Sequence, residues 1–377
     1  MHIAIQAADL DANRIDGTRV YLWQLLKRFG KIRPEDMFSL YHREIFNSQI
    51  TPPDFSNYHV SRIPQPILWT QTRFAYSLWK DKPDFLWMPV QSIPLIRRKS
   101  LRTTVTIHDL AFRYFPEHFP YKDRYKLLFL ADLAIKNADT IIAVSHHTKK
   151  DILHFYPKIN PEKIFVVHHG YDGKMFVGPL DKNILKTFGL ENSRYILYVG
   201  ALQPRKNLVT LIHAFEKLRE KESFRDLKLV LAGEKAWLWE EIEQARNKSA
   251  FREDILITGR ISFDTVIALY RNACVFAYPS LYEGFGLPIL EAFSAQIPVV
   301  CSRGSSLDEV GGDAVISFDP YSVDDMSTRL EEALTNEFLR KMNIQKGRER
   351  LALFSWDICA QKTLDIICGQ AKNTEYV

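Results

Sequence analysis

Twice along this chain, short and wholly apolar runs alternate with stretches of helical periodicity, and that alternation leaves few folds open. In the first half, strands are predicted at 2–6 (His-Ile-Ala-Ile-Gln), 58–63, 85–89, 102–108, 140–145 and 164–168. Helices fit 18–29, 67–79, 121–137 and 146–155. In the second half, strands fit 195–200, 227–232, 254–258, 274–278, 298–301 and 314–317. Helices there fit 207–220, 237–248, 263–272, 288–295 and 323–334. Strands that are apolar on both faces need cover on both, and helices between them make the sheet parallel. Two successive sets predict two doubly wound α/β domains. The length of 377 residues agrees with two domains. Periodicity breaks at Gly170, Gly173, Gly178 and Pro179, which sets a first domain over 1–175 and a second over 190–350. A last helix within 351–377 carries Trp356, Cys359, Ala360, Leu364 and Ile367 at helical spacing. It is expected to cross back to the first domain.

Composition narrows the class. With 46% apolar and 25% charged residues, the chain is an ordinary globular protein rather than a disordered or fibrous one. Cys274, Cys301, Cys359 and Cys368 form no Cys-x-x-Cys pair, which fits free thiols in a reducing compartment. The N-terminus lacks the basic start and apolar run of a signal peptide. No stretch reaches the ~18–20 apolar residues that span a bilayer. A cytoplasmic protein is expected. The net charge of +5 does not mark a nucleic-acid binder, but it is unevenly spread. Residues 1–175 hold 25 Lys and Arg against 17 Asp and Glu, and the excess peaks over 73–102. This is either a solvated basic face or a surface that attracts an acidic partner, such as an anionic membrane or a diphosphate-bearing acceptor.

Ligands of open α/β sheets bind beyond the carboxyl ends of the strands. One such junction is Gly200-Ala-Leu-Gln-Pro-Arg-Lys-Asn-Leu208. A helix start favours anions, and Arg205 and Lys206 add charge and donors suited to phosphate. The alternative is a solvated basic helix start capped by Asn207. No Walker loop and no Gly-x-Gly-x-x-Gly is present. A second junction is Pro279-Ser-Leu-Tyr-Glu-Gly-Phe-Gly-Leu-Pro-Ile-Leu-Glu291. Gly284 and Gly286 permit close backbone approach, and Pro288 suits a first helical position. Glu283 and Glu291 are strong acceptors for sugar hydroxyls. A first-turn acid on the helix dipole would explain Glu291 alone, but not the whole string. In the first half, His108-Asp109 follows a strand, where a histidine can bond a hydroxyl, shuttle a proton or be merely structural. Gly17 begins a helix after the first strand, with Asp16 or Thr18 as candidate caps. The pairs His146-His147 and His168-His169 match no zinc spacing, and Ser145 is read as a helix cap.

Taken together, these motifs resemble the group 1 retaining glycosyltransferases. The likeness rests on Gly200 with Pro204-Arg-Lys-Asn-Leu208, Thr258-Gly-Arg-Ile-Ser262, Tyr270-Arg-Asn-Ala273 and Pro279-Ser…Glu283-Gly-Phe-Gly-Leu-Pro…Glu291-Ala, in order. The resemblance implies two Rossmann-like domains facing across a cleft, the GT-B fold. Residues 1–175 would take the acceptor side and 190–350 the nucleotide-sugar donor. It assigns Arg205 and Lys206 to the donor diphosphate and Glu283 to the donor sugar. Phe285 to Leu287 would hold the sugar or its phosphates, and Glu291 the ribose hydroxyls. Gly259 and Arg260 would frame the base. His108 would touch the sugar, and Gly17 would face donor phosphate and acceptor.

The implied reaction is transfer with retention from a GDP- or UDP-type sugar, with mannose preferred, to a glycan or lipid-linked acceptor in surface polysaccharide or glycolipid assembly. No Asp-x-Asp motif is present, and neither metal nor cofactor is expected. Two departures stand out. Gln296 occupies a turn where the family usually has glycine for positive φ, and the N-terminal loop has Gly17 alone. Competing readings are a sugar-nucleotide epimerase or phosphorylase of the same architecture, or a nucleotide-sugar-binding protein without turnover.

Overall fold

The structure is a computed structural model that describes residues 1–64, 67–171, 173–176 and 183–371, without the side chains of 174 and 175. Gly178 and Pro179 of the expected boundary, and 372–377 of the expected last segment, lie outside the described residues. The chain forms two compact units. Unit 1 comprises Met1–Arg113, Lys122–Gly170 and the chain from Phe354; unit 2 comprises Tyr114–Tyr121 and Tyr171–Leu353. Of the expected first domain, 1–175, the segment Tyr114–Tyr121 and the residues from Tyr171 fall in unit 2. Tyr114–Tyr121 belongs to unit 2, where the Tyr114 ring lies 5.4 Å from Tyr282 and the His118 carbonyl accepts from Trp237 Nε1 at 2.8 Å.

Unit 1 contains strands β1 (His2–Gln6), β2 (Met37–His42), β3 (Tyr58–Arg62), β4 (Phe85–Met88), β5 (Arg102–Ile107), β6 (Thr140–Ala143) and β7 (Ile164–Val166). Helices α1 (Gly17–Ile32), α2 (Arg73–Asp81), α3 (Ala111–Tyr114), α4 (Tyr121–Asn137) and α5 (His146–Phe155) lie between them. The chain then continues through α6 (Asn183–Lys186), β8 (Tyr195–Val199), α7 (Leu208–Arg219), β9 (Lys228–Ala232), α8 (Glu240–Lys248), β10 (Ile255–Gly259) and α9 (Phe263–Asn272). It ends with β11 (Val275–Tyr278), α10 (Leu287–Ser294), β12 (Val299–Ser302), α11 (Ser306–Gly311), β13 (Ile316–Phe318), α12 (Val323–Thr335), α13 (Glu337–Leu351) and α14 (Trp356–Ile367).

Both sheets are parallel throughout, in the orders β3-β2-β1-β4-β5-β6-β7 and β10-β9-β8-β11-β12-β13. Each order reverses once, between β1 and β4 and between β8 and β11. These switch points are where doubly wound sheets open a crevice for ligands.

Besides the short helices α3, α6 and α11, the strand β2 and the helix α13 escape the sequence reading. β2 is interior, paired with both β1 and β3, yet it carries buried Ser39 and His42. His2 Nε2 meets the Ser39 hydroxyl at 2.8 Å, and His42 Nδ1 meets Asp11 Oδ1 at 3.0 Å, so both polar groups are satisfied from outside the strand. Helix α13 shows no apolar stripe, because its buried residues are Asn343 and Gly347. A Cβ at Gly347 would lie 2.7 Å from the Phe293 ring, so glycine sets the approach of α13 to α10. The expected helix at 67–79 begins only at Arg73. Leu68 is left-handed, with φ 52°, and interrupts it.

Helix α14 packs on α1 within unit 1. His169 stacks between Tyr21, at 4.7 Å, and Trp356, at 5.7 Å. Arg28 Nε donates to Asp357 at 2.5 Å, and Arg33 Nη2 to Asp365 at 2.8 Å. The backbones meet at Gly170, where a Cβ would fall 1.9 Å from Trp356 N and 2.3 Å from its Cα. Backbone cannot swing aside as a side chain can. Gly170→Ala should therefore lower unfolding stability by more than about 2 kcal/mol, read from the urea midpoint. An unchanged midpoint would show that this junction repacks freely.

Candidate active site

In unit 2, β8 is followed by Gly200, whose φ of 151° disfavours other residues. A Cβ there would meet the Tyr198 hydroxyl at 2.6 Å, and that hydroxyl is engaged, donating to Ala201 O at 3.0 Å. The chain then makes a 3₁₀ turn over Pro204–Lys206, so Arg205 and Lys206 precede α7 rather than belong to it. Asn207 occupies the cap position in a left-handed conformation, but its side chain does not accept from the first-turn amides. Instead its Nδ2 donates to Pro320 O at 2.8 Å, and its Oδ1 accepts from the Thr210 hydroxyl at 2.6 Å. The alternative reading, in which Asn207 simply caps the helix, does not hold for its side chain, which ties the turn to the segment after β13.

Beside it, β11 leads into 279–286 and then α10. Gly286 precedes the helix with φ 108°, and a Cβ would strike Leu307 at 2.7 Å. Glu283 is buried in this loop. Its carboxylate accepts from Arg205 Nη1 at 3.2 Å and from Lys206 Nζ. Arg205 also donates to Tyr282 O at 2.5 Å, while Leu281 N donates to Arg205 O at 3.0 Å. The two strand-end loops thus form one bonded unit. Burial alone would push the Glu283 carboxyl up, but the charges of Lys206 and Arg205 outweigh it and bring it to about 2. The Ser306 hydroxyl lies under the same loop, 2.8 Å from Glu283 O and 3.0 Å from Phe285 O. This fixes the backbone of Gly284, Phe285 and Gly286 ahead of Leu287.

Glu291, in the second turn of α10, accepts from the Tyr270 hydroxyl at 2.9 Å. Burial raises its pKa, with the Tyr270 bond opposing. Gly259 closes β10 with φ 67°, and exposed Arg260 pairs with Glu234 at 3.4 Å. Gly233, after β9, bridges Gly259 and closely approaches Gly200, whose carbonyl oxygen a Cβ at 233 would meet at 1.9 Å. Glu283, Arg205 and Lys206 are therefore joined directly, with Gly200 and Gly284–Leu287 in the same two loops. Gln296 adopts φ 59°, as its place in the turn requires, and its Oε1 accepts from Arg348 at 2.5 Å.

Residues beneath the site were not read from the sequence. Tyr278 stacks on Tyr198, with centroids 6.2 Å apart, and Phe276 links Tyr278 to Tyr270 at 5.7 and 5.2 Å. Each hydroxyl serves one element: Tyr198 the Gly200 loop, Tyr278 accepting from Lys206 Nζ at 3.3 Å, and Tyr270 bonding Glu291. For Tyr198 and Tyr278 the available signal was a tyrosine near the end of an otherwise apolar strand, where a hydroxyl needs a partner.

In unit 1, His108 lies after β5. Its Nε2 is 2.8 Å from the Pro89 carbonyl, an acceptor only, so Nε2 carries the proton and Nδ1 presents a lone pair. Burial lowers its pKa and keeps the ring neutral. Gly17 opens α1 behind Asp16, whose carboxylate accepts from Arg19 N at 3.2 Å. The structure brings His108 and the start of α1 together, since Tyr21 meets the His108 ring at 5.1 Å. Ser145 caps α5 through Thr148 N at 3.0 Å. His168 packs against His146 and Phe354 at 5.8 and 5.9 Å.

Residues 181–350 match the family described as glycosyl transferases group 1, and residues 18–174 match glycosyltransferase family 4. The chain is a group 1 glycosyltransferase. The O-antigen chain mannosyltransferase B of Escherichia coli is 29% identical over 377 residues, covering 93% of this glycosyltransferase and 95% of that protein. Sucrose-phosphate synthase from Thermosynechococcus elongatus superposes with a TM-score of 0.76 at 18% identity, covering 98% of both chains. HepE of Anabaena, solved in complex with UDP-glucose, gives 0.75 at 16% identity over 98% of this chain and 100% of its own. These likenesses place both α/β units in the GT-B fold.

The depressed Glu283 pKa makes a stability prediction for the glycosyltransferase. Between about 2 and the ordinary 4.5, the unfolded chain binds more protons than the folded one, so stability rises with pH across that window. Glu283→Gln removes this contribution and should leave the variant roughly 3 kcal/mol less stable than wild type at neutral pH. The gap should shrink as pH falls toward 2. Guanidinium unfolding of both proteins checks it, and a gap independent of pH would sink it.

Proposed function

We propose that this glycosyltransferase is a retaining mannosyltransferase that uses a nucleotide-diphosphate sugar, of GDP or UDP type, and extends a glycan or lipid-linked acceptor in surface polysaccharide or glycolipid assembly. The carrying observation is the pair Arg205 and Lys206 against one carboxylate, Glu283, at the β8–β11 switch point. Two cations and one anion leave the cluster a net positive charge where strand ends receive ligands. The mannosyltransferase named among the relatives supports the sugar, and HepE with UDP-glucose supports a nucleotide-sugar donor.

Transfer breaks the bond between the anomeric carbon and the phosphate oxygen, so negative charge grows on the departing diphosphate. Arg205 and Lys206 stabilise that charge from positions already fixed, with no reorganisation at the moment of reaction. The acceptor oxygen attacks on the face the diphosphate leaves, and its proton passes to a phosphate oxygen. A carboxylate held ionised by two cations is a poor nucleophile, so Glu283 orients the sugar rather than forming a covalent intermediate. Glu291 takes the ribose hydroxyls, with Tyr270 setting its direction. We assign His108 contact with a sugar hydroxyl through Nδ1, and Gly259 and Arg260 the neighbourhood of the base. With two side-chain cations on the diphosphate, turnover needs no magnesium.

Thermal unfolding with GDP, UDP, ADP, dTDP and CMP, each without metal, tests the donor site. One nucleotide should raise the melting temperature clearly, and Lys206→Ala should abolish that rise. In transfer assays from the matching sugar nucleotide, the same variant should lose more than about tenfold in kcat/KM, and wild-type turnover should survive EDTA. No shift with any nucleotide in a folded sample would overturn the reading in favour of a protein without a donor site.

A further inference from the structure

One face of unit 1 is apolar and basic at once. It is built by the turn before α2, by α2 and by the loop at 93–99. Leu68, Tyr76, Trp79, Leu95 and Ile96 are exposed there, from 47% for Trp79 to 70% for Ile96. Gln71 holds the segments together: its Nε2 donates to Ile93 O at 2.8 Å and its Oε1 accepts from Leu95 N at 2.9 Å. Helix α2 buries Phe74, Ala75 and Leu78, which leaves Arg73, Tyr76, Trp79 and Lys80 on its outer side.

Residues 73–102 carry Arg73, Lys80, Lys82, Arg97, Arg98, Lys99 and Arg102, against only Asp81 and Asp84. Both acids are engaged elsewhere, Asp81 by the Tyr41 hydroxyl and Asp84 by His2 N, each at 2.8 Å. Among the described residues none of the seven cations forms a salt bridge; Arg97 and Arg98 bond the carbonyls of Pro94 and Pro83 instead. The positive charge is therefore not cancelled locally.

This combination selects among occupants. A second copy of the same face would set Arg73 and Lys80 of one copy against the same cations of the other. An anionic bilayer instead takes tryptophan and tyrosine at headgroup depth, aliphatic side chains just below, and lysine and arginine on its phosphates. Among the described residues no helix is long and apolar enough to cross a membrane, so the contact is peripheral. We propose that this face docks the enzyme on anionic phospholipid, with Trp79 and Ile96 entering the headgroup layer.

The test uses the full chain with vesicles of equimolar phosphatidylglycerol and phosphatidylcholine, and with vesicles of phosphatidylcholine alone. Co-sedimentation is expected with the anionic vesicles at low salt and should fall steeply as salt rises. Tryptophan emission should shift to the blue on binding, and Trp79→Phe should lose most of that shift while still sedimenting. Lys80→Glu with Lys99→Glu should cut partitioning by at least about tenfold. Leu95→Ser with Ile96→Ser should weaken binding while leaving its salt dependence. Unchanged urea midpoints show that the variants fold. Equal binding to both vesicle types, no binding at low salt, or no response to the double charge reversal would overturn the proposal. So would variants that change the mass in sedimentation velocity but not the vesicle partition, since the face would then join copies of the chain.

Discussion

Glu283 is an acid held ionised inside a protein, and burial of that kind is costly unless cations compensate it. Lys206 and Arg205 do so, and in doing so they join the loops after β8 and β11. The Leu281–Arg205 backbone bond and the Arg205–Tyr282 bond lie on the same path. Charge and shape are thus inseparable here. Removing a cation strands the carboxylate, and removing the carboxylate loosens the turn that carries both cations. A buried ion pair often contributes little net stability over apolar packing, so its value lies in geometry: it fixes two cations at the mouth of a parallel sheet.

What holds the charged groups is apolar. Tyr198, Tyr278 and Phe276 form a buried stack with Tyr270 tilted against Phe276, and the three hydroxyls meet the Gly200 loop, Lys206 and Glu291 in turn. Each ring fills core volume, while its single polar atom must find a partner. The partners available are the site residues themselves. Packing precision in the core is thereby transmitted to the polar surface without further loops. Ser306 does the same from α11 by bonding two carbonyls of the Glu283 loop.

The doubly wound sheets were legible because strands buried on both faces are apolar throughout, and the junctions after them follow by position. The group around Glu283 was legible because glycine, proline, cations and acids cluster at those junctions. What escaped shares one property: its logic is not local. Ser39 and His42 make β2 look polar until His2 and Asp11 are brought against them. Asn343 and Gly347 hide the buried side of α13 because close approach, not apolar area, is what that side supplies. Asn207 has the residue type of a cap, yet Pro320, distant in sequence, turns it into a tether. Gln296 shows the converse. Its left-handed φ was readable from the turn, and its compensation through Arg348 was not.

The same contrast bears on unit 1. Helix α2 links β3, an edge strand, to β4 beside the switch point, and the sheet asks of it only one apolar side. Phe74, Ala75 and Leu78 supply that side, with Trp69 stacked 4.7 Å from Phe74 to seal its start. Tyr76 and Trp79 are then surplus to folding, as are Leu95 and Ile96 on the neighbouring loop. Exposed apolar residues scattered singly need no explanation, but these are gathered, aromatic in part and set among cations that no carboxylate pairs. Folding stability does not account for that grouping, since Tyr76 and Ile96 bury little in the unit itself and Trp79 and Leu95 remain about half exposed. A partner that is apolar beneath an anionic surface does account for it, and a lipid bilayer has that layering.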